Sequence, residues 1–300
     1  MADVPCVVCN SIQTDRLFQT HDRHYGITGD FEVVRCVHCG LVRMNPLPSL
    51  EELAKFYAED YYAYRPLVRN TALRSFAKKL FRTTITTHNP VFRAPGTFLD
   101  VGCGSGEYLH FMKSKGWQVR GVEPSAFGAG QAQREGLEVA HGSLHDAHFP
   151  DSAFDYVRSN HSFEHVHNPA EVLAEIHRIL KPGGKLFIGI PNTESVPYRV
   201  FGKYWWYLGI PLHTFSYGTS NIEVLLRRFG FQIERIYYQS NYSSILGSIQ
   251  IYLNRNTTRR STEGWVIRNP ILKMLANLLA RFFDLARRGD AIEVIALKPR

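Results

Sequence analysis

Residues 98–109 hold the feature that most constrains how this 300-residue chain can fold. A short apolar strand pattern ends in Asp100, and a helical pattern begins a few residues later. Between them lie Gly102, Gly104 and Gly106, at alternate positions. Glycine permits positive φ in a tight turn and close approach of a ligand, while the carboxylate favours an amino group and a helix N-terminus an anion. The stretch therefore predicts a strand–turn–helix that binds a ligand carrying both charges, as an amino acid does.

A second strand pattern, at 117–123, ends in Glu123, which follows Asp100 by 23 residues. This spacing is close to that of the ribose-binding carboxylate in a βαβ unit, and a vicinal diol offers two donors to one carboxylate. Binding of a nucleoside is therefore favoured over an ordinary βα loop. A dinucleotide is disfavoured, because the glycines are spaced Gly-x-Gly-x-Gly and the preceding acid would repel a pyrophosphate.

The run from Phe98 to Glu123, with 154–157 (Phe-Asp-Tyr-Val) and 180–186 (Leu-Lys-Pro-Gly-Gly-Lys-Leu), resembles class I S-adenosylmethionine-dependent methyltransferases of the small-molecule and sugar branch. The resemblance implies a Rossmann-like α/β fold, doubly wound around a seven-stranded, mostly parallel sheet with a final antiparallel hairpin. It also implies S-adenosylmethionine as cofactor. The cofactor contacts that it implies are Asp100, Gly102, Cys103, Gly104, Gly106, Glu123, Pro124, Ser143, Leu144, Asn160 and His161. Family members often carry an acid where this chain has Ser143.

From about residue 96 onward the hydrophobic patterns alternate between strands and helices, as a parallel doubly wound sheet requires. Strands are predicted at 97–101, 117–122, 137–140, 154–159, 185–190, 231–238 and 291–298. Helices are predicted at 105–115, 125–135, 169–180 and 219–229.

Two Cys-x-x-Cys pairs precede this domain, and 26 residues separate them. The four cysteines are Cys6, Cys9, Cys36 and Cys39. Four thiolates in two knuckles match the tetrahedral geometry that zinc prefers, and a shell of four cysteines is structural because no coordination position stays open. Two disulfides are the alternative, which an expected cytoplasmic location disfavours. The pattern predicts a structural Zn²⁺ in a small zinc ribbon.

These patterns divide the chain into three parts. A zinc-ribbon-like module is predicted at 1–46, a helical linker at 47–95 and the methyltransferase domain at 96–300. The linker carries a cap residue at Ser49 and a helical period over 72–85.

The N-terminal residues show no basic segment followed by an apolar run, and no stretch approaches the roughly 18 apolar residues of a membrane-spanning helix. We therefore expect a soluble protein in the cytoplasm. The net charge is +8, and residues 61–99 carry seven Lys or Arg and no acid. Such a stretch can meet nucleic acid, an anionic membrane or a phosphorylated substrate, or it can be a solvated face without a partner.

The segment 191–218 is strongly aromatic, which predicts a lid over the active site or packing on an inserted element. Within it, the run around His213 resembles a segment of small-molecule and sugar methyltransferases in which a histidine can act as base. Some sugar C-methyltransferases carry a glutamate immediately before that histidine, where this chain has Leu212. His165 is a second candidate, in a Glu-His pair that resembles one common in this branch. It could relay a proton or hold the loop.

An insertion at 240–289 lies between the last two predicted strands. Polar residues of its second helix fall on one narrow stripe, and nearly everything else from Ile271 to Leu285 is apolar, so the helix needs cover on most of its circumference. Three partners could cover the helix: the protein core, a subunit interface such as that of a homodimer, or an anionic bilayer. In the last case residues 270–288 would insert shallowly at the bilayer surface.

The favoured function is transfer of a methyl group from S-adenosylmethionine to oxygen or carbon of a small-molecule acceptor, such as a sugar, a polyketide-like compound or a lipid-linked compound. RNA methylation is the alternative enzyme class, since the net charge suits RNA. The aromatic lid and the apolar insertion argue against a nucleic-acid partner. The third alternative is a non-catalytic scaffold protein that binds the cofactor.

Overall fold

The chain forms two β-sheets in the computed structural model, which describes residues 4–56, 88–257 and 263–300. The seven-stranded sheet provides the frame of the larger part, and a four-stranded antiparallel sheet lies at the N-terminus. The helix predicted at 72–85 and most of the basic stretch lie outside the described residues.

The large sheet has the order β10-β11-β8-β7-β4-β5-β6. Its strands are β4 (Thr97–Val101), β5 (Gln118–Glu123), β6 (Val139–His141), β7 (Phe154–Asn160), β8 (Leu180–Pro191), β10 (Gln232–Gln239) and β11 (Ala291–Leu297). Strand β11 runs antiparallel to both of its neighbours, and the other pairs are parallel. This arrangement confirms the predicted seven-stranded, mostly parallel sheet of the Rossmann-like methyltransferase fold.

Four helices flank this sheet, within two residues of their predicted bounds. They are α2 (Glu107–Ser114), α3 (Ala126–Arg134), α4 (Pro169–Ile179) and α6 (Thr219–Arg228). Sequence periodicity explains their placement: α4 buries Leu173, Ile176 and Ile179, which share one helical face, and it presents polar residues outward. The hydroxyl of Ser125 accepts a hydrogen bond from Gly128 N at 3.3 Å and so begins α3.

Strand β8 begins five residues earlier than predicted. The sequence Pro182-Gly183-Gly184 is typical of a loop. In the structure Gly183 N donates to Lys298 O, and Lys298 N donates to Gly184 O, so the chain after β11 pairs with this stretch. Pairing with a distant segment therefore overrides the local turn preference.

The N-terminal sheet joins two distant parts of the chain. Its strands, in spatial order, are β1 (Thr14–Thr20), β2 (Phe31–Cys36), β3 (Val42–Asn45) and β9 (Phe215–Ser216). Strand β9 belongs to the aromatic segment 191–218, a pairing that the sequence analysis did not anticipate. Val33 and Val42 of the sheet form one apolar cluster with Trp205 and Leu208 of that segment. The N-terminal module therefore holds the segment that carries His213.

The aromatic segment also packs on the insertion. Helix α5 (Val196–Phe201) precedes two 3₁₀ turns, and the insertion forms α7 (Tyr242–Leu253) and α8 (Pro270–Leu285). Trp206 N donates to Ser248 Oγ at 2.9 Å. Packing on an inserted element, one of the two expected arrangements, is thus observed.

Helix α8 turns its polar stripe inward. Asn277 Oδ1 accepts from Tyr242 N at 3.1 Å, and Asp284 Oδ1 accepts from Ser240 Oγ at 2.7 Å. The opposite, apolar face lies at the surface of the described structure. None of the described helices combines the length and apolar character that crossing a membrane demands. Short helix α1 (Leu50–Phe56) starts with the predicted cap, because Ser49 Oγ accepts from Glu52 N at 3.2 Å.

Candidate active site

The glycine-rich loop lies between β4 and α2, at the carboxyl edge of the parallel strands. Gly102, Gly104 and Gly106 have φ of +76°, +55° and +84°, which confirms the predicted need for glycine. A Cβ on Gly102 would lie 2.4 Å from the Cβ of Ser162. Ser162 Oγ donates to Val101 O at 2.7 Å, so the loop is fixed against the end of β7.

Glu123 lies at the end of β5 and connects two backbone segments. Its Oε2 accepts from Gly104 N at 2.8 Å, and its Oε1 accepts from Ser125 N at 2.9 Å. Burial raises the pKa of this carboxyl above its usual value, although both N–H groups favour the charged form. Each carboxylate oxygen has a second lone pair, so the group can still accept two hydroxyl donors from a diol.

Asp100 has a buried partner within the chain. Arg158 Nη1 donates to Asp100 Oδ1 at 3.0 Å and to Oδ2 at 3.1 Å, and the two residues are in register on β7 and β4. The guanidinium carbon also lies 3.7 Å from the centre of the Tyr108 ring. Burial lowers the pKa of Arg158, but Asp100 and the nearby phenols outweigh it and keep the guanidinium charged. Arg158 therefore neutralises the acid that the sequence assigns to a ligand's amino group, and a cofactor contact of Asp100 stays a prediction.

The loop after β6 contains the predicted adenine contacts. Ser143 Oγ donates to Asp146 Oδ2 at 2.7 Å, so an acid lies three residues beyond the position where the resembling family often carries one. Leu144 is buried in the main core. Asn160 and His161 lie at the end of β7, on the same edge as the glycine-rich loop, and His161 has a φ of +51°.

The two remaining predicted contacts are Pro124 and Cys103. Pro124 follows β5, and its carbonyl accepts from His141 Nε2 at 3.1 Å. Cys103 is buried within the glycine-rich loop, and burial raises the pKa of its thiol. A protonated thiol is a poor nucleophile, so we assign Cys103 no nucleophilic role.

Both predicted catalytic histidines lie in one cluster with Glu164. One potential metal-ligand atom each of Glu164, His165 and His213 lies within 4.8 Å of the others. His165 Nδ1 donates to Leu212 O at 3.1 Å. The two imidazole rings meet edge to face, with centroids 4.7 Å apart. Glu164 follows Ser162 by two residues, and Ser162 contacts the glycine-rich loop.

Electrostatics make this cluster anionic near neutral pH. Burial raises the pKa of Glu164, but the neighbouring imidazoles outweigh burial and lower the pKa to about 2. Burial, reinforced by His165, lowers the pKa of His213 to about 3. Near neutral pH His213 is therefore uncharged and supplies no full positive charge to the carboxylate.

The four cysteines of the N-terminal module converge. Their sulfurs lie within 4.8 Å of one another, with Cys6 Sγ 3.4 Å from Cys39 Sγ and Cys9 Sγ 3.5 Å from Cys36 Sγ. A disulfide bond would measure about 2.05 Å. Hydrogen bonding with Cys39 lowers the pKa of Cys6 to about 5, and the resulting thiolate is the form that binds zinc. The donor set fits Zn²⁺.

Three residues escaped the sequence analysis as site components. Arg158 lies inside an apolar strand, and its signal was an opposite charge, Asp100, inside the neighbouring strand pattern. Glu164 appeared only as the neighbour of His165. Gly209 has a φ of +59°, and a Cβ there would lie 2.4 Å from His213 Nδ1, so this glycine makes room for the imidazole.

Comparisons with known proteins agree with this geometry. Residues 71–236, more than half of the chain, match a family model described as a methyltransferase domain. A ubiquinone biosynthesis O-methyltransferase of Nitrosococcus oceani is 28% identical over 205 residues, which cover 64% of this chain and 83% of that protein. A demethylmenaquinone methyltransferase of Listeria welshimeri is 34% identical over 80 residues, which cover 26% of this chain and 34% of that protein.

The matched part of most of these curated relatives is short. Four others are matched over 31% to 47% of their own length. Among solved structures, an S-adenosylmethionine-dependent methyltransferase of Archaeoglobus fulgidus superimposes with a TM-score of 0.49 at 19% identity, covering 75% of this chain and 93% of that one.

Proposed function

Because the chain belongs to the methyltransferase-domain family and is a class I S-adenosylmethionine-dependent methyltransferase, we propose that it methylates oxygen or carbon of a small-molecule acceptor. The observation that carries the proposal is the position of the cluster Glu164, His165 and His213. It lies beside the end of β7, where Ser162 contacts the glycine-rich loop. An acceptor held there would lie next to a cofactor held by that loop.

The names of two relatives support a small-molecule acceptor of a particular kind. One relative is described as a ubiquinone biosynthesis O-methyltransferase and another as a demethylmenaquinone methyltransferase. One name refers to ubiquinone biosynthesis and the other to demethylmenaquinone. We therefore favour a ring-bearing or lipid-linked acceptor, with sugars and polyketide-like compounds as the other members of the class.

The chain's own residues would bind the cofactor and handle the acceptor's proton. When bound, S-adenosylmethionine supplies an electrophilic methyl group on its sulfonium. Glu123 would accept hydrogen bonds from the ribose hydroxyls, and the positive-φ glycines of the loop would let the methionine end approach the backbone. His213 Nδ1 donates to Tyr207 O at 3.0 Å, which leaves the lone pair of the neutral ring on Nε2 to receive a proton. Alignment and proton removal together would speed the displacement.

His213→Ala tests this role. We expect kcat to fall by about 10²-fold, the lower end of the contribution of a positioned proton acceptor, because the lowered pKa of His213 makes it a weak base. The dissociation constant of S-adenosylmethionine should hold, because His213 lies in the aromatic segment and not in the glycine-rich loop. Radiolabelled methyl transfer to a panel of quinol, sugar and lipid-linked acceptors measures the first quantity, and calorimetry measures the second.

The matched control is His148→Asn, at an exposed loop position with a φ of +46° that asparagine tolerates. It should leave both quantities unchanged. Full turnover in His213→Ala would remove this histidine from the mechanism. Binding of S-adenosylmethionine without turnover on any acceptor would favour the scaffold alternative.

We propose that the N-terminal module binds one structural Zn²⁺ through Cys6, Cys9, Cys36 and Cys39. The convergence of four sulfurs supports it, since zinc bonds of about 2.3 Å to a tetrahedron of thiolates place the sulfurs about 3.8 Å apart. The metal would stabilise the module and, through the pairing of β3 with β9, the segment that carries His213.

We propose that the outer face of α8 contacts an anionic membrane surface, where a lipid-linked acceptor would reside. Its apolar side chains include Leu278, Phe282 and Leu285, exposed by 58%, 65% and 85%. Four arginines within or next to the helix are exposed: Arg268 before it, Arg281 within it, and Arg287 and Arg288 after it. An apolar face on a helix with such arginines suits shallow insertion among anionic headgroups, because apolar burial and charge attraction add.

Flotation with vesicles of phosphatidylcholine and phosphatidylglycerol tests this contact. The wild-type protein should float with anionic vesicles. Phe282→Asp should float about tenfold less, since it places a charge in the apolar face that would enter the bilayer. Val224→Asp, at a 50% exposed valine of α6, is the matched control and should behave as wild type. Failure of the wild-type protein to float would overturn the membrane contact. A wild-type dimer that Phe282→Asp loses, measured by light scattering, would assign the face to a homodimer interface instead.

A further inference from the structure

The cluster of Glu164, His165 and His213 has a composition that proton removal alone does not explain. A single histidine suffices as a base, yet two imidazoles and a carboxylate converge to within 4.8 Å. The three side chains come from the 3₁₀ turn Phe163–His165 and from the aromatic segment, which are about fifty residues apart. Neither the predicted cofactor contacts nor the zinc module uses Glu164.

Glu164 is a buried carboxylate that accepts no well-aligned hydrogen bond from the described residues. Its side chain is 1% exposed, and neither oxygen accepts a hydrogen bond from any residue of the described ranges 4–56, 88–257 and 263–300. The nearest cationic candidate, His161 Nδ1, lies 3.4 Å from Oε1 without the alignment of a hydrogen bond. A buried carboxylate is costly unless it is paired and hydrogen-bonded, and one unaligned imidazole at 3.4 Å is a weak partner for it.

Both histidines are held in the form that suits a metal ligand. His165 Nδ1 donates to Leu212 O and His213 Nδ1 donates to Tyr207 O, so each neutral ring carries its lone pair on Nε2. Histidines that bind metals characteristically donate their other N–H to a carbonyl or carboxylate, which fixes the tautomer and the ring orientation. Gly209 adds to this, since its missing side chain leaves space for the His213 ring.

We infer that Glu164, His165 and His213 bind one divalent first-row transition-metal ion at the acceptor site. Two imidazoles and one carboxylate form the three-ligand set of open metal sites, in which the remaining positions take water or substrate. The ion adds a full positive charge beside Glu164, where the described partners are imidazoles. His161, whose side chain is 32% exposed, lies on the side of the cluster nearer to solvent.

This inference rests on the proposed function for its chemical consequence. An acceptor hydroxyl that occupies an open position of the ion loses its proton to solvent more readily, because the cation stabilises the resulting anion. The oxygen lone pair then forms a bond to the methyl carbon, the carbon–sulfur bond breaks, and its electron pair stays on sulfur. Charge balances as the sulfonium becomes a neutral thioether. His213 then acts as a ligand, and the ion replaces it as the means of activating the acceptor.

Metal binding to the full-length protein tests the site independently of activity. The protein is loaded with one equivalent of Zn²⁺ to fill the thiolate site and titrated with Mn²⁺, which thiolates bind weakly. Electron paramagnetic resonance of free Mn²⁺ and calorimetry should report one bound Mn²⁺ per wild-type chain. Glu164→Gln should weaken the binding at least about tenfold. Glu164→Asp, which keeps the carboxylate, should recover part of it, and the control His148→Asn should match the wild type.

The outcomes separate the two proposals. Absence of Mn²⁺, Co²⁺ and Zn²⁺ binding beyond the thiolate site, or equal binding by Glu164→Gln, overturns the metal site. Undiminished methyl transfer by protein treated with a chelator also overturns it, and leaves the proposed function standing. Mn²⁺ binding that Glu164→Gln abolishes, in a protein that transfers no methyl group to any acceptor, overturns the proposed function and leaves the metal site standing. Retained affinity of Glu164→Gln for S-adenosylmethionine shows that the variant is folded.

Discussion

Two buried carboxylates near the carboxyl edge of the large sheet have opposite surroundings. The side chain of Asp100 is 2% exposed and receives two hydrogen bonds from one guanidinium. Glu164 is 1% exposed and receives none from the described residues. Burial is the same in both cases, so the difference lies in what the fold places beside each charge.

The contrast separates a charge that is neutralised within the chain from one that we propose binds a metal ion. Arg158 neutralises Asp100 inside the chain, and the pair ties β4 to β7 beneath the glycine-rich loop. The titratable neighbours of Glu164 include three histidines, of which His213 is neutral near pH 7. A carboxylate in such surroundings is available to a cation or to a substrate, which is the usual property of functional sites.

The largest expected effect comes from Cys36→Ser. This substitution should disturb the surroundings of Glu164 but not those of Asp100. We expect the loss of one equivalent of zinc and of several kcal/mol of stability in the N-terminal module, since structural zinc binds zinc-finger peptides with about 10–16 kcal/mol. Because β3 pairs with β9, His213 should then leave the Glu164 cluster and turnover should fall. The Asp100–Arg158 pair lies in the large sheet, so affinity for S-adenosylmethionine should change far less. Elemental analysis and calorimetry measure these quantities.

Cys103→Ala is the matched control for zinc content, because it alters the remaining cysteine and should keep every equivalent of metal. Unchanged zinc content in Cys36→Ser would contradict the thiolate site. Equal losses of cofactor affinity and turnover would show that the module supports the whole domain and not the His213 segment in particular.

The second prediction concerns Asp100→Ala, which leaves Arg158 buried without its partner. Breaking a buried pair in this way costs about 3–5 kcal/mol, and urea unfolding of the full chain measures it. Asp151→Ala removes an exposed ion pair and should cost less than about 1 kcal/mol. Affinity for S-adenosylmethionine should fall in Asp100→Ala. If Arg158→Met lowers that affinity equally, Asp100 acts through the pair; if only Asp100→Ala lowers it, the carboxylate contacts the cofactor.

The smallest effect is expected for Glu164→Gln in protein freed of metal. The substitution keeps the shape of the side chain but removes a carboxylate whose pKa the neighbouring imidazoles lower to about 2, so near neutral pH it should lower stability, by less than Asp100→Ala, which breaks two hydrogen bonds. The same urea unfolding measures it. A loss as large as that of Asp100→Ala would show that Glu164 has a structural partner, and the contrast between the two carboxylates would fail.

Much of the frame followed from sequence periodicity, and the exceptions have identifiable causes. The strands and helices of the large sheet were predictable because their patterns are local, as in α4 with its buried stripe. Strand β8 began early because a distant strand pairs with its glycines. Helix α8 was expected to need cover on most of its circumference, and the structure brings its narrow polar stripe against Ser240 and Tyr242, leaving the apolar face outward. Local pattern shows that a helix is two-sided, but contacts decide which side is covered.

The sequence by itself determined the glycine-rich turn, the alternating strands and helices, and the paired cysteines, because in each the chemistry lies within a few residues. Tertiary structure alone decided the partners of the two acids. Arg158 reaches Asp100 because β7 lies beside β4, although 58 residues separate them. His213 reaches Glu164 because β9 joins the N-terminal sheet and holds the aromatic segment in place. Contacts between residues so far apart depend on strand order and packing, which no local pattern encodes.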